Sequence, residues 1–152
     1  MAKLFIYYSH TGSGDIVSKE FEKAGYEIRK VTEKKKMPKS FFFQMMSGGF
    51  RATIKAKGKL IDYDNNVSKY DKIVIGSAIW NARLTPTINS VLAETNFKGK
   101  DLSFVLYSGS GTAKKAEERI KKEFPSAKIL FLKEPKKYNE ELKKLKESGL
   151  LD

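Results

Sequence analysis

The sequence predicts an α/β protein: a doubly wound, three-layer fold around a five-stranded parallel sheet. Three observations carry that expectation. Five short β-like runs recur along the chain, four of them are nearly continuous in apolar residues, and stretches with helical spacing separate most of them. Continuous apolar runs suit parallel strands covered on both faces. Strands alternating with helices imply βαβ units, whose crossovers are right-handed.

The elements follow in chain order. Leu4–Tyr8 is the first strand, and Val17, Phe21 and Ala24 form the apolar stripe of the first helix. Tyr26–Val31 alternates in polarity, which suits an edge or near-edge strand. Pro38–Lys57 is less regular. Pro38 suits a first helical turn, and Phe42, Met45, Met46, Phe50 and Ile54 fit one helical face. Gly48-Gly49 would cost about 2 kcal/mol in a helix interior, so a broken or closely packed helix is expected there. Residues 58–70 read as a loop. Lys72–Ile75 is the third strand. Thr85-Pro86 opens the next helix, with Leu84, Ile88, Val91 and Leu92 as its stripe. Leu102–Tyr107 is the fourth strand, followed by the stripe Ala113, Ala116, Ile120 and Phe124. Lys128–Leu132 is the fifth, and Tyr138, Leu142 and Leu145 mark the closing helix.

A chain of 152 residues with 40% hydrophobic content suits one domain, residues 1–152, with its own core. The absence of cysteine excludes disulfides, thiolate catalysis and zinc–thiolate sites, and a single histidine excludes a multi-histidine metal centre. The apolar run after Met1-Ala2-Lys3 is too short for a signal-peptide core or a membrane span, so the protein is expected to be cytoplasmic. Lys and Arg outnumber Asp and Glu by 30 to 18, giving a net charge of +12. The lysines are dispersed, with modest clusters at Lys34–Lys36, Lys114-Lys115 and Lys143-Lys144. Dispersion favours a lysine-rich surface, and no nucleic-acid recognition motif accompanies it.

In an open doubly wound sheet, ligands bind beyond the carboxyl ends of the strands, where strand order reverses. The loops after strands one, three and four are therefore the candidates. The first, Ser9-His10-Thr11-Gly12-Ser13-Gly14, is rich in hydroxyls and glycine and runs into a helix. Its backbone N–H groups and the helix N-terminus suit a phosphate dianion. It contains no Lys or Arg, so the dipole and hydrogen bonds would have to neutralise the charge. The alternative is a plain turn with Ser13 as the N-cap. The loop lacks the Lys-Ser/Thr of a Walker motif, and Val17 stands where a dinucleotide fingerprint needs its third glycine. The second loop, Gly76–Arg83, holds Ser77, Ala78, Ile79, Asn81 and the sole tryptophan, Trp80. Trp80 either stacks on a planar ring or packs in the core. The third, Ser108-Gly109-Ser110-Gly111-Thr112, lets backbone approach a ligand closely, or merely connects strand to helix with Thr112 as cap. His10 and Arg83 read as solvated or ligand-adjacent residues, and no catalytic acid or base is named.

Three separated segments together resemble flavodoxins: Tyr7–Ser13, Tyr70–Trp80, and Gly99-Lys100 through Ser108–Gly111. Gly48-Gly49-Phe50 is similar to the middle stretch of short bacterial flavodoxin-like proteins. The resemblance spans nearly the whole chain. It implies strand order 2-1-3-4-5 and a bound flavin mononucleotide (FMN). Ser9, Thr11, Gly12 and Ser13 would then hold the phosphate, with His10 and Gly14 in the same loop. Ala78, Ile79 and Trp80 would line one ring face, flanked by Ser77 and Asn81. Ser108, Gly109 and Gly111, with Ser110, would border the pyrimidine side. The chain departs from the family in three ways. Ser13-Gly14 replaces a pair such as Asn-Thr, the segment Ser108–Thr112 has no aromatic residue, and the charge is basic. Either electron transfer or a small quinone-reductase-like oxidoreductase is compatible with this, partnered by a redox protein or a small-molecule acceptor. No specific nucleic acid and no membrane span are implied, and monomer and homodimer both stay open. The alternative is a flavodoxin-fold binding module that has lost FMN.

Overall fold

The computed structural model describes residues 2–9, 12–32 and 63–152. Within them β1 (Lys3–Tyr8), β2 (Glu27–Lys30), β3 (Lys72–Trp80), β5 (Asp101–Ser108) and β6 (Lys128–Lys133) pair in parallel in the order β2-β1-β3-β5-β6. A two-residue strand, β4 (Arg83–Leu84), pairs antiparallel with the end of β3. Leaving β4 aside, this is the expected 2-1-3-4-5 order. Among the described residues the alternating strand β2 lies at the edge, in keeping with the edge or near-edge place its pattern suggested. Arg29 ties it to residues before β3 by donating to the carbonyls of Asp64 (3.1 Å) and Asn66 (2.8 Å).

The apolar strands serve two cores, one on each face of the sheet. Successive side chains point to opposite faces. Leu4, Ile6, Ile73, Ile75, Phe104 and Leu106 therefore pack on one side, with Ile88 and Val91 of α2 (Pro86–Glu94) and Ile120 of α3 (Lys114–Glu123). Phe5, Tyr7, Val74, Val105 and Tyr107 pack on the other, with Val17 and Phe21 of α1 (Ser13–Lys23) and Leu145 of α4 (Glu141–Glu147). The Phe5 ring stacks on Phe21 at 4.2 Å, which presses α1 onto the sheet. The result is the three-layer sandwich expected from the sequence.

Four local expectations are corrected. The third strand does not end at Ile75 but runs on to Trp80, so the supposed loop Gly76–Arg83 is largely a β-hairpin. Leu84 belongs to β4 rather than to a helix, although it is buried in the same core as Ile88. Ser13 is the first residue of α1, and Gly12, in the left-handed region, is its N-cap. Ala113, not Thr112, caps α3, because Thr112 is engaged by Ser110 through backbone and hydroxyl contacts. Thr85 does cap α2, accepting from the Ile88 N–H at 3.4 Å, with Pro86 next in the first turn. The helix expected in Pro38–Lys57 lies outside the described residues, as do residues 58–62 of the expected loop. Among the described residues no helix is long and apolar enough to cross a membrane.

Candidate functional site at the carboxyl ends of the strands

The register places the candidate loops side by side. Tyr8 at the end of β1 pairs with Ser77 of β3, and Ala78 pairs with Tyr107 of β5. The chain leaves β1 at Ser9, whose Oγ accepts hydrogen bonds from the N–H groups of Gly12 (3.1 Å) and Gly14 (3.0 Å). A hydroxyl oxygen has two lone pairs and one proton. With both lone pairs engaged, the remaining function of Ser9 is to donate, which suits an anion. Gly12 has φ of 94°, a conformation that turns the chain sharply into α1. His10 and Thr11 lie outside the described residues. Ser13 is buried in the first helical turn, where unsatisfied N–H groups carry partial positive charge.

The one acidic residue of that turn, Asp15, is already compensated. Its carboxylate accepts from the Tyr7 hydroxyl at 2.6 Å and from Lys30 at 2.8 Å. Burial opposes its ionisation, but those two bonds outweigh burial and hold its pKa below the ordinary carboxylate value. Burial and the bond to Asp15 push the Tyr7 phenol up to about 12.

Gly14 explains the unusual Ser13-Gly14 pair. A Cβ there would stand 2.5 Å from Tyr107 Oη, 2.7 Å from Ser9 Cβ and 2.8 Å from Tyr7 Cδ2. The first turn of α1 thus sits directly on the sheet, and any side chain at 14 would collide. Tyr107 fills this space because its hydroxyl donates to the Tyr8 carbonyl, and burial raises its pKa well above the ordinary value.

The β3 hairpin forms the next wall. Trp80 pairs with Arg83, and Asn81 and Ala82 make the two-residue turn with φ of 52° and 60°. Two successive positive φ values are the signature of a type I′ hairpin turn. The Ala82 carbonyl accepts from Ala116 N–H at 3.0 Å, which anchors the turn to α3. Ala78, Ile79 and Trp80 are half-buried and Asn81 is exposed, whereas Ser77 is fully buried and donates to the Ala78 carbonyl at 2.7 Å. Trp80 meets Tyr8 edge-on, centroids 6.0 Å apart, and packs against the core.

The third wall is the segment after β5. Ser108 Oγ accepts from Gly111 N–H (2.9 Å) and donates to the Thr112 carbonyl (3.1 Å), closing a tight turn. Gly109 and Ser110 are exposed at its tip. Gly111 has φ of 79°, and a Cβ there would lie 3.3 Å from Lys133 Cβ.

One residue near the site was not foreseen. A Cβ on Gly12 would lie 3.4 Å from both Cδ and Nζ of Lys136, in the connection between β6 and α4. The expectation that the first loop has only its dipole and hydrogen bonds is therefore corrected, since an ammonium group from the far end of the chain stands beside it. Both α1 and α4 pack on the same face of the sheet. That is why their preceding connections meet. The constellation can take an anion at one end and a flat, partly apolar group along the hairpin. Among the described residues no three His, Cys, Asp or Glu side chains cluster as a metal site.

Comparison with known proteins bears on this geometry. A family model described as flavodoxin matches residues 3–148. A protein of Bacteroides eggerthii assigned as a flavoprotein superposes with a TM-score of 0.71, 20% identity, and coverage of 84% of this chain and 85% of that one. A flavoprotein from Lactobacillus acidophilus in complex with FMN gives 0.66, 16%, 84% and 89%. Oxidised flavodoxin 1 from Bacillus cereus gives 0.55, 11%, 99% and 97%. No curated protein sequence matches significantly.

Proposed function

The chain belongs to the flavodoxin family, and from that premise we propose that it binds FMN beyond the ends of β1, β3 and β5 and serves in electron transfer. One observation carries the reading: the hydroxyl- and glycine-lined turn into α1 stands beside a lysine ammonium, next to a hairpin that carries Trp80. The residues fit the group. Ser9 retains a proton to donate, the N-terminus of α1 and Lys136 favour a dianion, and Gly12 keeps its approach open. Ala78, Ile79 and Trp80 offer apolar and aromatic surface for a ring system. Gly109 and Ser110 bring exposed backbone to its polar edge.

FMN supplies one- or two-electron redox chemistry when bound, and the protein sets its orientation and electrostatics. Tyr107, buried and tied to the Tyr8 carbonyl, does not serve as a ring cover. The segment after β5 therefore contributes no aromatic lid. That favours access of a flat small acceptor, such as a quinone, over a site closed on both faces. The surplus of 12 positive charges also favours an added negative charge on the reduced ring.

The test is a titration of the purified, flavin-free chain with FMN, following flavin fluorescence. Saturable quenching at micromolar FMN or below is the expected result. Absence of quenching and of visible flavin bands would leave the fold as a binding module without flavin.

A further inference from the structure

We propose that the lysines bracketing the exposed turn after β5 form a docking face for an acidic protein, the partner that exchanges electrons at this end of the sheet. The redox role of that partner rests on the FMN reading; the docking face does not. Lys114 and Lys115 open α3 on one side of the turn, and Lys133 and Lys137 stand at and after the end of β6 on the other. All four are exposed, as are Gly109 and Ser110 at the tip of the turn. Two contacts fix the arrangement. A Cβ on Gly111 would lie 3.3 Å from Lys133 Cβ, which sets the end of β6 against the turn. The Ala116 N–H donates to the Ala82 carbonyl at 3.0 Å, which holds the first turn of α3 at the β3 hairpin.

Helix energetics do not account for Lys114 and Lys115. The N-terminus of a helix is its positive end, where cations cost stability and acids add to it. Neither lysine forms an ion pair among the described residues, and Glu117 in the same turn is taken by Lys121 at 2.9 Å. Lys133 and Lys137 lie over the Tyr138 ring, at 5.4 and 5.5 Å from its centroid, which holds both ammonium groups at the surface. The Glu134 carboxylate also reaches the turn, 3.8 Å from where a Cβ on Gly109 would stand, one negative charge against four positive. At the other end of the sheet cations are matched more closely. Lys72 pairs in register with Asp101 and donates to the Asp152 carbonyl at 3.1 Å, and Lys69 meets Glu27 at 3.3 Å. Compensation of that kind is slight around the turn after β5. A face of one sign steers a protein of the opposite sign and sets its orientation. These lysines are point charges without the fork that grips phosphate, and Tyr138 lies beneath two ammonium groups rather than open to stack on a base. An acidic protein is therefore favoured over a nucleic acid.

The experiment measures, by fluorescence anisotropy, binding of a labelled plant-type ferredoxin, an acidic iron–sulfur protein, to the chain with and without FMN at low and high salt, beside a labelled DNA duplex. Three variants each lose two positive charges: Lys114→Gln with Lys115→Gln, Lys133→Gln with Lys137→Gln, and, at the other end of the strands, Lys98→Gln with Lys128→Gln. The expected result is that each of the first two pairs weakens ferredoxin binding about fivefold at low salt, while the third stays within about twofold. The differences should close at high salt, where exposed charges are screened. No ferredoxin binding at low salt, an equal loss in the third pair, a loss confined to one of the first two, or tighter binding of the duplex with the same losses would overturn the docking face. A wild type that binds the ferredoxin but not FMN would overturn the FMN reading and leave the face standing, without its redox role.

Discussion

Replacing Gly14 with alanine isolates the close approach between α1 and the sheet. In an open helix interior the change gains about 1 kcal/mol from propensity. Here the new Cβ meets three side-chain atoms at 2.5, 2.7 and 2.8 Å, whereas ordinary contact begins near 3.4 Å. None of the three can swing away cheaply. Tyr107 is held by the Tyr8 carbonyl, Tyr7 by Asp15 at 2.6 Å, and Ser9 by two N–H donors. Overpacking costs about 1–3 kcal/mol, and three contacts this short put Gly14→Ala in the upper part of that range, about 2–3 kcal/mol, so the net loss should be about 1–2 kcal/mol. For a chain of this size each kcal/mol lowers the melting temperature by about 2–4 °C, which puts the fall at about 2–8 °C. Urea unfolding, followed by Trp80 fluorescence and far-ultraviolet circular dichroism, measures the midpoint at constant slope. Tyr107→Phe removes the nearest of the three atoms but leaves Ser9 and Tyr7 in place. Gly14→Ala should therefore remain destabilising in that background. A Gly14→Ala midpoint equal to or above wild type would refute the close approach.

Two further outcomes are expected. Burial pushes Tyr7 and Tyr26 up to about 12 and Tyr107 well above its usual value, so the folded chain keeps protons that an unfolded chain releases near pH 10. Stability should be unaffected by these groups below about pH 10 and fall steadily from there to about pH 12. Tyrosinate absorbance should rise together with loss of structure, and ionisation of every tyrosine near pH 10 with the fold intact would contradict it. Ala82→Gly creates an Asn-Gly turn where alanine now has φ of 60°. Relief of the left-handed conformation, less the extra freedom of glycine when unfolded, should add up to about 1 kcal/mol to stability. A lower urea midpoint would count against the type I′ assignment.

The strands were legible because burial on both faces writes itself as nearly continuous apolar sequence, as in Leu4–Tyr8 and Leu102–Tyr107. The end of β3 was not. Gly76 looks like a strand terminator, but it sits inside the strand because a Cβ there would strike the Phe5 ring at 2.6 Å. The hairpin beyond it turns on Asn81-Ala82, and alanine carries no signal for a positive φ. The stretches Ser9–Gly14 and Ser108–Gly111 could be singled out as candidates because each is contiguous in the sequence. Lys136 was hidden because its placement depends on α1 and α4 sharing one face, a fact of packing that no local pattern encodes. The hydroxyls expected as helix caps were misplaced for a related reason. Ser108 and Ser110 close the turn after β5 on themselves, leaving Ala113 to begin α3.

The central pairing of the sheet joins residues far apart in the chain: Lys3 lies against Lys72, and Tyr8 against Ser77. Closing so long a loop carries a large entropic cost before any contact rewards it. During synthesis β1, α1 and β2 emerge first, and β1 must wait with one edge open until β3 is made, and with its Leu4 and Ile6 face lacking the cover of Ile88, Val91 and Ile120 until the helices after β3 follow. The segment Leu4–Tyr8 is therefore the most exposed to wrong pairing during folding, although it is among the most buried afterwards. Assembly of the sheet, and with it alignment of the loops at its carboxyl end, is thereby tied to the arrival of the second half of the chain.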